Sequence, residues 1–172
     1  PEGFGTTGDG GDDIGIIEFW ADEYEGDAFS FCLDRSSSMG GTTASGEIKS
    51  AVMKREVIRA LQGMTSRTVV SIVFYNGDME PLTYGDPPIK MESAAKAQLI
   101  ARVAGTPISS GSCMARGAEK LLGIAVKTQN EHRTMIIVAD GQTHCSNGEN
   151  DADKVFRRII AKNTTRMPIN TI

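Results

Sequence analysis

Residues 29–39 read FSFCLDRSSSM, and the change of character within this stretch decides the fold. Residues 29–33 form a short apolar run, the pattern of a strand that is buried on both faces. The Ser- and Gly-rich residues 35–41 that follow are typical of a loop. Beyond this loop, apolar side chains recur at helical spacing and predict a helix over residues 46–63. The stretch is therefore a strand, loop and helix in succession, with Asp34 where the strand ends.

The rest of the chain repeats this alternation of strand and helix patterns. Further strands are predicted at residues 68–75, 134–139 and 169–172, and further helices near residues 95–103, 114–125 and 151–162. Alternating strands and helices are typical of a parallel sheet, because right-handed crossovers place helices on both faces. We therefore predict an α/β fold with a doubly wound, mostly parallel central sheet. In such sheets, ligands bind beyond the carboxyl ends of the strands.

The amino-terminal residues differ in composition from the remainder. Residues 1–13 are rich in glycine and acidic side chains, which is typical of a flexible linker. Residues 14–24 are compatible with a strand, and residues 25–27 with a turn into the central strand at residues 28–33. We therefore expect an antiparallel edge hairpin with that strand, within one domain that spans residues 14–172.

Composition excludes several classes of protein. The net charge of −4 is uneven, because residues 1–34 contain ten acidic side chains and no Lys or Arg. The basic residues of the remainder recur at helical spacing among acids, which favours a solvated helix face over a nucleic-acid surface. No apolar run approaches the roughly 20 residues of a membrane-spanning helix. We therefore predict neither nucleic-acid binding nor a membrane span within this chain.

The three cysteines predict no structural framework. Cys32 lies in an apolar run, and Cys113 and Cys145 show no zinc-site spacing with His132 and His144. Cys113 and Cys145 could approach each other if their loops share one rim of the sheet. Sequence does not fix such connectivity, so we do not predict a disulfide.

Oxygen-bearing side chains follow two of the predicted strands and precede one helix. Asp34, Ser36 and Ser38 alternate along one loop, Asp140 ends another strand, and Ser112 lies just before a helix. A set of oxygen ligands selects a hard cation, Mg²⁺ or alternatively Mn²⁺ or Ca²⁺. Taken alone, the Ser-rich loop fits a helix cap equally well. The additional segments favour a metal site at this rim.

Together these segments resemble the metal-ion-dependent adhesion site of the von Willebrand factor A family, whose fold is Rossmann-like. The family pattern is Asp-x-Ser-x-Ser, then a Thr, then an Asp followed by Gly. The resemblance implies that Ser36 and Ser38 bind the metal directly, that Asp34 and Asp140 act directly or through water, and that Ser112 takes the Thr position. It also implies a non-enzymatic module for adhesion or assembly. The metal would capture an Asp or Glu carboxylate of a protein partner.

The chain departs from the family pattern at several positions. Ser37 stands where the family often has Gly, Ser112 replaces Thr, and Ala139 stands where Thr often precedes the final Asp. Thr106 is an alternative to Ser112 as the second-loop ligand. The chain ends at Ile172, and we expect that it is truncated before the last strand and helix of the family. Similarity to bacterial members suggests a cell-surface or membrane-tethered location, although the sequence itself leaves the location open.

Three rival functions remain at this point. A Mg²⁺-dependent nucleotide hydrolase is suggested by Gly41 and Gly46, which have P-loop spacing, but Glu47 stands where the P-loop needs Lys. Lys49 arrives two residues late. A Ser-based hydrolase lacks the Gly-x-Ser-x-Gly elbow. A structural assembly module with a vestigial metal site is the non-enzymatic rival. We assign no catalytic residue.

Overall fold

The computed structural model describes residues 14–77, 80–141, 143–148 and 150–172. The predicted linker at residues 1–13 lies outside the described residues. In chain order the elements are β1 (Gly15–Phe19), β2 (Asp22–Gly26), β3 (Ala28–Asp34), α1 (Lys49–Gly63), β4 (Val69–Tyr75), β5 (Leu82–Lys90), α2 (Ser93–Gly105), α3 (Met114–Ala125), β6 (Arg133–Val138), α4 (Ala152–Lys162) and β7 (Ile169–Thr171). A short 3₁₀ turn, Ser37–Gly40, follows β3.

Five strands form the central sheet in the order β5-β4-β3-β6-β7. Strand β3 pairs in parallel with β4 and β6, β6 pairs in parallel with β7, and only β5 is antiparallel to its neighbour. This mostly parallel sheet confirms the predicted fold class. The register aligns Asp34 with Tyr75 and Leu33 with Val138, so the carboxyl ends of β3, β4 and β6 form one rim.

The two faces of the sheet are covered by different helices. All seven residues of β3 are buried, as expected for a central strand with helices on both faces. Phe31 and Leu33 pack with residues of α1 and α2, whereas Cys32 packs with residues of α3 and α4. This alternation follows from the two-residue repeat of a strand. Cys32 is a free thiol with no solvent exposure.

The amino-terminal hairpin is present, but the predicted pairing and turn are wrong. Strands β1 and β2 pair only with each other, as a separate antiparallel sheet, and the turn lies at Trp20 and Ala21 rather than at residues 25–27. Both turn residues have positive φ, as a two-residue type I′ connection requires. Residues 25–27 instead lead from β2 into β3.

Strand β5 was not predicted, and α1 begins later than predicted. The antiparallel β5 contains Gly85 and Pro87, which are uncommon inside strands, and it lies at the sheet edge, where proline is tolerated. Helix α1 begins at Lys49 because Thr42 and Ile48 first form an isolated β-bridge. Within the described parts of the chain, no helix has the length and hydropathy that crossing a membrane requires.

Candidate metal centre

The loop after β3 brings three of the predicted ligands together. Asp34 has no solvent exposure, and the backbone N–H of Ser36 donates a hydrogen bond of 2.7 Å to its Oδ1 atom. The hydroxyl oxygens of Ser36 and Ser38 lie 2.8 Å apart. The Asp34 carboxylate therefore fixes the turn, and the turn places two hydroxyls side by side.

Ser112, rather than Thr106, lies beside Asp34. The buried Ser112 hydroxyl donates to Oδ2 of Asp34 across 3.4 Å. Thr106 caps the end of α2, where its Oγ1 atom donates to the carbonyl of Arg102 at 2.8 Å and contacts the hydroxyl of Tyr84 at 2.9 Å. Ser112 therefore lies beside the Asp34 carboxylate, whereas the Thr106 hydroxyl is engaged at the end of α2, and Ser112 as a metal ligand stays a prediction.

Asp140 supplies the second carboxylate of the rim, just beyond the end of β6. Its Oδ2 atom lies 3.4 Å from Nζ of Lys49, the first residue of α1. Its buried Oδ1 atom accepts no hydrogen bond from the described residues. A buried carboxylate oxygen without a donor is costly unless something else satisfies it. A cation is a fitting partner for this atom.

The electrostatics of Asp34 point the same way. Burial raises the pKa of its carboxyl group, the hydrogen bonds from Ser36 oppose that rise, and the charge of nearby Asp140 adds to it. A cation beside Asp34 would favour its charged form. Among the described residues, no group of three or more His, Cys, Asp or Glu side chains forms an alternative metal cluster. The candidate set of two carboxylates and three hydroxyls suits a hard cation such as Mg²⁺.

A hydrogen-bonded scaffold that the sequence did not reveal holds the two Ser-bearing loops together. The side-chain amide of Asn76, just after β4, donates to Oγ of Ser109 at 3.2 Å and to the carbonyl of Ser110 at 3.0 Å. The guanidinium of Arg35 donates to Oδ1 of Asn76 at 3.2 Å, and the backbone N–H of Ser109 donates to the carbonyl of Arg35 at 2.7 Å. The signal available in the sequence was a polar residue at a third strand end, which reads as an ordinary turn residue.

A disulfide joins the loop of Ser112 to the loop that follows Asp140. Cys113 and Cys145 are bonded, with their Cα atoms 4.7 Å apart. The sequence left this pairing open, and the structure shows the bond. The two loops do share one rim, since Ser112 and His144 form an isolated β-bridge between them. Connectivity depends on this long-range contact, and cysteine spacing alone does not report it.

A groove of about 490 Å³ opens beside Asp140. It is lined by Lys49, by apolar side chains of α1 and β6, and by Trp20, which is the only tryptophan of the chain. A ligand bound at the rim would therefore lie close to a fluorescent side chain.

Comparisons with known proteins match this architecture. A family model described as von Willebrand factor type A domain matches residues 30–171. Among curated proteins, no sequence matches the chain.

Solved structures with a similar fold come from several bacteria. A von Willebrand factor type A structure from Catenulispora acidiphila has a TM-score of 0.64 at 15% identity and covers 92% of this chain and 38% of its own. The pilus adhesin SpaC from Lactobacillus rhamnosus GG has a TM-score of 0.56 at 12% identity, with coverages of 67% and 15%. The PilB minor pilin from Streptococcus sanguinis has a TM-score of 0.57 at 12% identity, with coverages of 70% and 32%.

These structural relatives support the fold, since their identities are too low to carry function. The chain spans between 15% and 38% of the length of the three structures. The family model covers most of the chain, including every residue of the candidate metal site. The chain therefore belongs to the von Willebrand factor type A domain family.

Proposed function

We propose that this domain is a non-enzymatic binding module that holds one divalent cation, Mg²⁺ or alternatively Mn²⁺ or Ca²⁺, and uses it to capture an acidic residue of a protein partner. The proposed ligands are the five oxygen-bearing residues of the rim: Asp34, Ser36, Ser38, Ser112 and Asp140. The observation that carries the proposal is the buried Oδ1 atom of Asp140, which lacks a hydrogen-bond donor among the described residues. The negative charge of Asp140 also contributes to the raised pKa of the buried Asp34.

The charge balance of the site explains why an external carboxylate would bind. Asp34 and Asp140 together neutralise a divalent cation, and the three hydroxyls add no further negative charge. The site therefore has no excess negative charge that would repel a further carboxylate, and Mg²⁺ commonly retains exchangeable waters. A carboxylate from a partner would displace such a water and complete the coordination. The adjacent groove leaves room for the segment that carries it.

The proposed role in adhesion or assembly extends to this domain what two of its structural relatives are named for. One of them is a pilus adhesin and another a minor pilin. Adhesion and pilus assembly both depend on contacts between protein surfaces. We extend that role to this domain, with a protein partner that supplies an Asp or Glu.

The rival nucleotide hydrolase gains no support from the loop before α1. Glu47 stands where a P-loop needs Lys, and it pairs with Arg55 at 2.6 Å. The backbone N–H of Lys49 donates to the carbonyl of Gly41 at 2.9 Å, but its ammonium group pairs with the Asp140 carboxylate at 3.4 Å. No phosphate release is therefore expected when the domain is incubated with ATP and Mg²⁺.

Metal binding can be tested by a matched pair of serine variants from one loop. A ligand that binds only the folded state at 100 times its Kd stabilises by about 2.7 kcal/mol, or roughly 5 to 10 °C in Tm for a domain of this size. We expect Mn²⁺ to raise the Tm of the parent and of Ser37→Ala, because the exposed Ser37 hydroxyl donates to the carbonyl of Ser109 instead of lying among the proposed ligands. Ser38→Ala should bind Mn²⁺ roughly tenfold more weakly.

The contrary outcome is clear. No stabilisation of the parent by millimolar Mg²⁺ or Mn²⁺ would favour the vestigial site and overturn the proposal.

Carboxylate capture is tested separately, by titrating the metal-loaded domain with capped Gly-Asp-Gly and Gly-Asn-Gly peptides while following Trp20 fluorescence. Only the Asp peptide should change the emission, and only when metal is present. Equal responses to both peptides would contradict capture through the metal.

A further inference from the structure

The Ser112 segment is held between two neighbours. On one side, the backbone N–H of Cys113 donates to the carbonyl of Asn76 at the end of β4, at 2.5 Å. On the other side, the backbone N–H of His144 donates to the carbonyl of Ser112 at 2.5 Å, and the hydroxyl of Thr143 donates to the same carbonyl at 3.3 Å. Ser112 is thus positioned by contacts with a strand end and with the loop that follows Asp140.

The disulfide between Cys113 and Cys145 covalently links the Ser112 segment to the loop that follows Asp140. Cys113 follows Ser112 directly, and Cys145 lies five residues after Asp140 in the same loop that carries Thr143 and His144. The disulfide therefore connects two segments that each supply a proposed metal ligand. Residues 143–148 belong to no strand or helix, so this part of the loop has no regular ladder of backbone hydrogen bonds to hold it in place.

The contact that this arrangement maintains is sensitive to small movements. The Ser112 hydroxyl reaches Oδ2 of Asp34 across 3.4 Å, close to the limit of a hydrogen bond. A displacement of a few tenths of an ångström would break it. Metal sites lose affinity when a ligand is no longer held in position by its surroundings.

We propose that the Cys113–Cys145 disulfide is a positioning element of the metal site, so that cation affinity depends on its oxidation state. This inference rests on the proposed metal-binding function. The oxidised domain holds Ser112 against Asp34 and binds the cation tightly. The reduced domain keeps its fold, because both faces of the sheet remain packed. The loop that carries Ser112 moves away from Asp34, however, and the cation binds more weakly.

Reduction by a dithiol follows ordinary thiol–disulfide exchange. A thiolate of the dithiol attacks one sulfur of the pair, the bond between Cys113 and Cys145 breaks, and the other cysteine leaves as a thiolate that takes up a proton. The second thiol of the reagent then resolves the mixed disulfide. Two electrons pass to the domain, which gains two thiols, and the dithiol becomes a cyclic disulfide.

The test compares Mn²⁺ affinity with overall stability in four proteins. These are the oxidised parent, the parent reduced with dithiothreitol and desalted under nitrogen, the double variant Cys113→Ala with Cys145→Ala, and Leu99→Ala. Leu99 is buried in α2 against the other face of the sheet, so its truncation destabilises the domain without touching the disulfide or the site. Calorimetric Mn²⁺ titration is performed at a temperature where circular dichroism shows every protein to be folded.

We expect the reduced parent and the double variant to bind Mn²⁺ roughly tenfold more weakly than the oxidised parent. Leu99→Ala should lose Tm but keep the parent Kd. The inference is overturned if the reduced parent or the folded double variant keeps the parent Kd while its Tm falls, because the disulfide would then only stabilise the fold. An oxidised parent that binds no Mn²⁺ would instead remove the proposed function itself, and this inference with it.

Discussion

Gly117 in α3 offers a sharp test of how the helices pack on the sheet. A Cβ atom at this position would lie 2.7 Å from Cβ, 2.9 Å from Cδ1 and 3.0 Å from Cγ of Tyr75 in β4. Tyr75 has no solvent exposure, so its ring cannot move aside into solvent. Gly117→Ala therefore requires α3 and β4 to separate.

The expected magnitude follows from two opposing effects. Alanine is favoured over glycine inside a helix by about 1 kcal/mol. Overpacking of a filled core costs about 1 to 3 kcal/mol, and contacts this short toward a Cβ atom place Gly117→Ala at the upper end. We expect a net loss of about 2 kcal/mol in the free energy of unfolding. That loss corresponds to roughly 4 to 8 °C in Tm for a domain of this length.

Gly123 in the same helix provides the matched control. A Cβ atom there would meet nothing within 4 Å, so Gly123→Ala should gain up to about 1 kcal/mol from helix propensity alone. Urea denaturation followed by circular dichroism gives both free energies of unfolding on one scale. If Gly117→Ala proved as stable as Gly123→Ala, α3 would not lie against Tyr75 as described.

Two further predictions concern charged side chains. Lys49→Gln should tighten Mn²⁺ binding several-fold, because the Lys49 ammonium lies 3.4 Å from the Asp140 carboxylate and repels the cation. An unchanged Mn²⁺ affinity in calorimetry would show that Lys49 does not compete with the cation for Asp140. Although burial alone would raise the pKa of Glu119, its contacts with Lys162 and Arg158 lower it. Its contribution to stability is therefore present above the unfolded pKa of about 4.3 and is lost as pH falls through the lower folded pKa. Glu119→Gln should cost roughly 1 kcal/mol in urea denaturation at pH 7 and progressively less as the pH falls through the folded pKa, and a cost that does not change with pH would contradict the ion pairs.

The sequence predicted the central sheet because its strands are unusually uniform. All seven residues of β3 and six of the seven in β4 are buried, so their apolar runs read as strands covered on both faces. Strand β5 was not predicted, because it is an edge strand with an exposed side and because its Gly85 and Pro87 are residue types typical of turns. The hairpin turn was misplaced because Trp20 and Ala21 adopt positive φ, which neither residue type signals.

Some residues of the candidate site could be found from the local sequence, whereas others depend on contacts between distant parts of the chain. Asp34 and Ser36 were recognisable because they share one loop, and Asp140 because it ends a buried strand at the same rim. The supporting amide of Asn76 and the disulfide partner of Cys113 depend on contacts between loops that are distant in sequence. Such contacts exist only once the sheet has brought the strand ends together.

The burial of Cys32 has a consequence for oxidative maturation. Three cysteines permit three alternative single bridges, and an accessible third thiol could attack the bridge and exchange partners. In the folded domain Cys32 has no solvent exposure and lies inside the central strand. Burial raises the pKa of its thiol well above the usual range, which suppresses the thiolate that exchange requires. Once oxidised, the native domain therefore keeps a single connectivity, and Cys32 does not cross-link it to a second molecule.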